Sequence, residues 1–330
     1  MRPFAYQRVT NEAQAVKAAS APGGVFLAGG TTLIDLAKLD VIRPERVIDI
    51  NPLQGRHGGV SADAAGLRLG ALARMSDVAE HPAVLRDYPV IAQSLSLAAS
   101  QQLRNMASLG GNVLQRTRCS YFRDVTWTAC NKRNPGSGCA AMGGNNRNHA
   151  VLGVSDQCIA SYPGDFAQAL TALDAMVELY GPGGARVLPF DQLHALPDAA
   201  PHVETALRPG ELITGFHVPS APWARRSLYL KVRDRASYEF AAASAAVALE
   251  LKDGVVGQAR IAVGGVAAKP WRAREAEALL IGKPLTEASA QAAAQAVFAG
   301  ARTHGHNDFK PELGRRTVVR ALLQAAAMEA

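Results

Sequence analysis

All four cysteines of the chain fall between residues 119 and 158. Cys119, Cys130, Cys139 and Cys158 are spaced C-x10-C-x8-C-x18-C, in a polar stretch that opens "CSYFRDVTWTACNKRNPGSGC". Thiolates are soft metal ligands and thiols pair as disulfides, so four in one loop point to one chemistry or the other. The C-x2–4-C pairs of structural zinc sites are absent, as are the two-residue gaps of ferredoxins. Spacing leaves three readings open: a [4Fe–4S] cluster wrapped by a long loop, a zinc site, or two disulfides with three connectivities. Between residues 116 and 147, Arg116, Arg118, Arg123, Lys132, Arg133 and Arg147 face one acid, Asp124. That surplus would offset the charge of a thiolate-bound cluster and raise its reduction potential. His149 is the histidine nearest the cysteines, and a loop hydrogen bond is its expected role. No H-x-x-x-H or H-E-x-x-H pair and no G-x-S-x-G elbow occurs.

Two glycine segments form a second kind of candidate. "LAGGTTL" (27–33) stands between a strand and a helix. Its glycines let backbone N–H groups approach a phosphate, and the helix start adds partial positive charge. It lacks the Gly-Lys-Ser/Thr ending of a Walker loop and is not G-x-G-x-x-G. "SLGGN" (108–112) reads as a second turn of the same kind. The pair can hold the two phosphates of a dinucleotide, or serve as two tight turns. Asp165 can accept from a ribose hydroxyl or cap its own helix. Lys231, in "LYLKVRDR", can snorkel to the surface or stabilise an anion such as the N1–C2=O edge of a reduced flavin.

The elements that must position these residues read as α/β at the start. Residues 24–54 predict strand, glycine turn, helix and strand, a βαβ-like unit. "GLRLGAL" predicts a strand, and residues 75–100 predict two helices broken near Pro82 and Pro89. "YPGDFAQALTALDA" predicts a helix with Asp165 at its start; "MVELY", "ARVLPF" and "ELITGFHV" predict strands. A boundary is expected near "PSAPW" (219–223), followed by a strand in "SLYLKVR". The alanines of "FAAASAAVALEL" favour helix, yet the Asp253-Gly254 turn and "ARIAVGG" beyond it favour a hairpin, so a strand is predicted. "WRAREAEALL" and the last two segments predict helices.

Composition bounds the function. At 330 residues the chain holds more than one packed core, and 48% hydrophobic with 19% charged residues is ordinary globular usage. The net charge of +7 is scattered, with no basic run and no RNA-binding fingerprint, so nucleic acid is not the expected partner. No apolar run spans a bilayer, so membrane insertion is not expected. The first residues lack the apolar stretch of a secretory signal, so any export is expected to depend on a signal-bearing partner.

Taken in order, "FLAGGTTLIDLAKL", "SQQLRNMASLGGNVLQRTRC", "YPGDFAQALTALDA", "KVRDRASYEFAAASAAVAL" and "ARIAVGGVAAKPWRAREAE" resemble the FAD-binding medium subunit of the molybdenum hydroxylases, the xanthine dehydrogenase and aldehyde oxidase family. The resemblance covers nearly the whole chain. Its cysteine region is similar to that of the periplasmic aldehyde oxidoreductase branch, whose medium subunit carries a [4Fe–4S] cluster on such an insertion; the benzoyl-CoA-type reductase branch carries a comparable one. The resemblance implies an α+β fold: two α/β subdomains of the vanillyl-alcohol-oxidase type clasping FAD, about 1–54 and 55–220, with the cluster loop at about 115–160. A small α+β domain, antiparallel sheet with helices, would follow at 221–330.

Residue by residue, the resemblance implies that Leu27, Ala28, Gly29, Gly30, Thr31, Thr32, Leu33 and Ile34 hold the FAD pyrophosphate. The chain departs from the commoner AGGTD or AGGTN with "AGGTT". Ser108, Gly111, Asn112 and Gln115 would line the other side of the cofactor. Asp165 would serve the adenosine side, Ile213 would pack by the flavin, and Lys231 would lie near its polar edge. Cys119, Cys130, Cys139 and Cys158 would ligate the cluster. No catalytic acid or base is expected. The implied partners are a large molybdenum-cofactor subunit, a small [2Fe–2S] subunit and an external electron acceptor. The implied location is the periplasm by co-export, with the cytoplasm as alternative. Rival readings are a stand-alone flavin oxidase of this fold and a non-catalytic zinc-binding scaffold.

Overall fold

A computed structural model describes residues 1–329. Its first sheet is parallel. Strands β1 (Ala5–Arg8), β2 (Gly24–Leu27) and β3 (Arg46–Asp49) lie in the order β1-β3-β2. Parallel neighbours need crossovers, and the helices Glu12–Ala19 and Leu33–Lys38 supply them. The first helix is capped by Asn11, whose Oδ1 accepts from the Gln14 N–H at 2.9 Å. Its Ala15 and Ala18 pack on Ile48, Ile50 and Leu53. The βαβ reading of 24–54 thus holds, with β1 and its helix added before it.

The second sheet is antiparallel: β4 (Val60–Asp63), β5 (Gly66–Gly70), β6 (Met176–Gly181), β7 (Gly184–Pro189) and β8 (Leu212–Pro219), ordered β4-β5-β8-β6-β7. Its inner face, including Leu67, Leu69, Val177, Leu179 and Phe216, forms the central core with the helices Pro89–Ser96 and Phe166–Ala172. Residues 75–96 make three helices rather than two: Met75–Ala79, Pro82–Asp87 and Pro89–Ser96. Each proline opens a helix, because the missing N–H is one that a first turn leaves unbonded anyway.

The third sheet, β9 (Ser227–Val232), β10 (Ala243–Lys252), β11 (Val255–Gly264) and β12 (Trp271–Arg272), is antiparallel in the order β12-β11-β10-β9. Asp253 and Gly254, at φ 52° and 77°, make the tight hairpin expected between β10 and β11. The alanine-rich strand is covered on both faces. Ala246 and Ala248 enter the central core, whereas Ala245, Val247 and Leu249 face the helices Arg274–Leu280, Glu287–Val297 and Lys310–Ala326. Burial on two sides selects small apolar residues there and overrides their helical preference. "WRAREAEALL" is helical only from Arg274, because Trp271 and Arg272 pair with Val263 and Ala262. No described helix is long and apolar enough to cross a membrane.

Ile261 is wholly buried in β11, and its N–H donates to Glu277 Oε1 at 2.8 Å. Ile261→Ala should cost about 2–5 kcal/mol of stability through lost burial and a residual cavity. Denaturant unfolding of the variant against the parent checks this.

Candidate functional site

The two glycine segments meet backbone to backbone. At Gly29 an added Cβ would lie 2.0 Å from the Met106 carbonyl oxygen, so only glycine lets them touch. The chain then turns through Gly30 at φ 74°, with Leu27 and Ile34 packed beneath it. Two residues brace the junction. Asn51 Nδ2 donates to the Ala28 carbonyl at 3.1 Å, and the Arg74 guanidinium donates to the Met106 carbonyl and, at 3.4 Å, to Asn51 Oδ1. Sequence reasoning missed both. Their only signal is the position of Asn51, one residue past the strand "RVIDI".

Among the described residues, no acceptor is bonded to the N–H groups of Gly29, Gly30, Thr31 or Thr32. These consecutive amides border a groove of about 230 Å³ between the first two sheets. Unsatisfied amides in a concave turn attract an anion such as a phosphate. The second segment works differently. It is a short helix, Leu109–Val113, not a turn, and Ser108 caps it by accepting from the Gly111 N–H at 3.2 Å. Its Leu109 and Gly110 amides are spent on the Ala73 and Ala71 carbonyls. It therefore offers the groove two side-chain-free glycines and the Ser108 hydroxyl. The helix end is pinned, since the Val113 carbonyl accepts from Tyr162 Oη at 3.0 Å and from His194 Nε2 at 2.8 Å.

Of the expected binding residues, Ala28 through Leu33, Ser108, Gly111 and Ile213 line this groove. Ile213 sits beside a β-bulge where β8 slips register against β6, and Leu212 next to it also faces the groove. Asn112 and Gln115 lie outside the lining. The Asn112 amide turns to Met75 Sδ at 3.4 Å, and Gln115 Nε2 donates to the Asn112 carbonyl at 2.9 Å. The groove adds Leu36, Leu72 and Glu211, which motif reasoning did not single out, and Gly110 and Arg116, which it had not assigned to the cofactor.

Asp165 and Lys231 are joined to each other. Lys231 Nζ lies 2.8 Å from Asp165 Oδ2 and also donates to the Leu97 carbonyl at 3.1 Å, while Tyr229 Oη donates to Asp165 Oδ1 at 2.5 Å. The Lys231 side chain is 1% exposed, so it does not snorkel. Asp165 stands at the N-cap of its helix yet makes no capping bond. The pair is buried, and neither residue is on the groove's lining.

The four cysteines converge. All are free thiols, and all line one small cavity of about 10 Å³ with Phe122, Lys132 and His149. Among the described residues there is no disulfide, and no three His, Cys, Asp or Glu side chains gather tightly enough for a single metal ion. Cys130 and Cys139 face each other across an antiparallel bridge. Burial pushes the Cys119 thiol up to about 12 and raises that of Cys158. As bare thiols they are inert; a cationic ligand partner would favour their thiolates. His149 does more than bond the loop: its Nε2 lies 3.1 Å from Cys119 Sγ, and burial, with the Lys310 charge, lowers it to about 4.

Five of the six cations between residues 116 and 147 meet acids from outside that stretch. Arg118 and Arg123 bond Asp35 at 3.0 and 2.7 Å, and Arg116 and Lys132 bond Glu204 at 2.7 and 2.8 Å. Arg147 pairs with Asp234, and Arg133 donates to the Tyr121 and Phe122 carbonyls. Asp35 belongs to the helix that follows the glycine turn, whose Leu36 also packs on Phe122 and Cys130. One side-chain layer therefore separates groove from cysteines.

Residues 2–221 match the FAD binding domain in molybdopterin dehydrogenase. The chain belongs to this family. Residues 228–327 match the CO dehydrogenase flavoprotein C-terminal domain. The flavoprotein is 46% identical, over 99% of both chains, to the aldehyde oxidoreductase FAD-binding subunit PaoB of Escherichia coli (strain K12). It is 29% identical to the glyceraldehyde dehydrogenase medium chain of Sulfolobus acidocaldarius, over 79% of this chain and 74% of that one. Among solved structures, carbon monoxide dehydrogenase from Hydrogenophaga pseudoflava superposes with a TM-score of 0.76 at 26% identity, covering 99% of this chain and 98% of that one. The protein is thus a mixed α and β FAD-binding oxidoreductase subunit, as the resemblance implied.

Two outcomes follow from this geometry. Gly29→Ala should force the two segments apart and weaken FAD binding about tenfold or more, read by flavin fluorescence titration, with circular dichroism as a check on folding. Burial holds His194 down at about 4 against its ordinary 6.5. Its folded value lies below its unfolded one, so its contribution is intact above pH 6.5 and is lost as the pH falls toward 4. At about 1.4 kcal/mol per pH unit the loss approaches about 3 kcal/mol. Denaturant melts across that range should show it, with a shallower slope in His194→Gln.

Proposed function

We propose that the flavoprotein is the electron-transfer subunit of a three-subunit molybdenum aldehyde oxidoreductase, holding FAD and a [4Fe–4S] cluster. Electrons from aldehyde oxidation in a large molybdenum-cofactor subunit would arrive through the [2Fe–2S] clusters of a small subunit and leave from FAD to an external acceptor. The observation that carries this reading is the convergence of four free thiols, two buried and two half-buried, on one cavity, a single side-chain layer from the FAD groove. The similarity to an aldehyde oxidoreductase FAD-binding subunit supports the substrate class. Co-export to the periplasm on a signal-bearing partner belongs to the same proposal.

When bound, FAD and the cluster supply the one- and two-electron redox chemistry; the chain's residues bind and position them. The amides of Gly29 to Thr32 would receive the pyrophosphate, and the Ser108 hydroxyl and Gly111 would close the opposite wall. Ile213 would pack by the ring system. Lys231, held by Asp165, would supply positive charge behind the flavin's polar edge. The cysteine cavity fits a cluster in its donor set, four thiols and no carboxylate among its lining residues. At its present volume the thiols must rotate apart to admit one. Arg116 and the Asp35 bridges tie that loop to the groove.

The complex, purified anaerobically with its partners, should contain about one FAD and four irons in this subunit. Cys130→Ser should abolish the cluster's signal while most FAD stays bound; equal loss of both would make the loop part of the flavin site. FAD without that iron in the parent would return the cysteines to zinc or disulfides. Lys231→Met should lower the flavin potential, and an unchanged potential would remove Lys231 from this role.

A further inference from the structure

Arg116 belongs to both sites. It lines the FAD groove, and its guanidinium lies 4.6 Å from the centre of the Phe122 ring, which lines the cysteine cavity. Its Nε donates to Glu204 Oε2 at 2.7 Å. The other oxygen of that carboxylate, Oε1, lies 2.8 Å from Lys132 Nζ. Lys132 in turn lines the cysteine cavity. Arg116 and Lys132 are bonded to no other acid among the described residues. The three side chains are between 12% and 26% exposed, so solvent screens them only partly. One carboxylate is thus shared between a cation of the groove and a cation of the cysteine cavity.

We infer that Glu204 is a positioning residue that sets the reduction potentials of the flavin and of the cluster together. The inference rests on the cluster reading above. Reduction adds negative charge at either site, and nearby uncompensated positive charge favours the reduced state. Glu204 compensates both cations at once. Removing its charge frees both, so both potentials rise. Removing one cation leaves the carboxylate wholly to the other, so the potential of the distant site falls as well. A residue with a merely structural role would alter cofactor content or stability, and would not move two potentials in one direction.

The test is Glu204→Gln in the intact complex, with FAD and iron content measured first and both centres then titrated by visible and electron paramagnetic resonance spectroscopy. Parental cofactor content with an upward shift of both potentials is the expected result. Full content with only one potential shifted, or neither, overturns the inference. Should Glu204→Gln lose its cofactors, Lys132→Gln decides: the flavin potential should fall although Lys132 stands on the cysteine side, and an unchanged flavin potential overturns the inference. A parent complex that holds FAD but no iron in this subunit sinks the cluster reading itself, and the coupling with it.

Discussion

The contact between Gly29 and the Met106 carbonyl is the constraint on which the site depends. A side chain at position 29 would hold the first sheet away from the segment that begins at Ser108, and the groove between them would open. With glycine there, the N–H groups of Gly29 to Thr32 are bonded to no acceptor among the described residues and remain available to an anion. Asn51 and Arg74 turn this close approach into a fixed one by bonding the carbonyls on both sides of it. The first parallel sheet supplies the turn, the short helix capped by Ser108 supplies the opposite wall, and β8 of the antiparallel sheet adds Leu212 and Ile213 beside its bulge.

The cysteine region is built as an annex to that groove. It contributes little apolar mass of its own, only small clusters around Phe122 and Tyr121, and leans on the helix after the glycine turn. Its arginines and lysine are expensive to bury alone, so acids from other elements meet them: Asp35 from that helix and Glu204 from the segment before β8. Charge compensation therefore fastens the loop to the FAD domain. The same ion pairs run between the groove and the cysteine cavity.

The C-terminal sheet carries no groove residue, yet it closes the molecule. Strand β9 delivers Lys231 and Tyr229 to Asp165, and β10 packs against the central core on one face and three helices on the other. The buried ion pair ties the third sheet to the helix Phe166–Ala172. A pair so deeply buried is costly unless fully bonded, and here the carboxylate receives both the ammonium and a tyrosine hydroxyl.

Local signals in the sequence determined the strand–turn–helix–strand at 24–54, the Asp-Gly hairpin, most helices and the ordered motifs that marked the family. Each rests on backbone conformation or side-chain periodicity within a few residues, which physical chemistry ties to sequence directly. The glycines were legible as a phosphate turn. Which of the two segments keeps its amides free was not, because the Ala71 and Ala73 carbonyls that occupy the second lie more than thirty residues away. The alanine strand was decided by burial on both faces, and the division of residues 75–96 into three helices, two of them opened by proline, by where the chain packs. The basic surplus around the cysteines looked unpaired because its acids are far off in sequence, Asp35 and Glu204 each 88 residues from a bonded arginine. Ion pairs of that separation form only when the fold brings their elements together, so the convergence of four thiols was a hypothesis in the sequence and a geometry only in the tertiary structure.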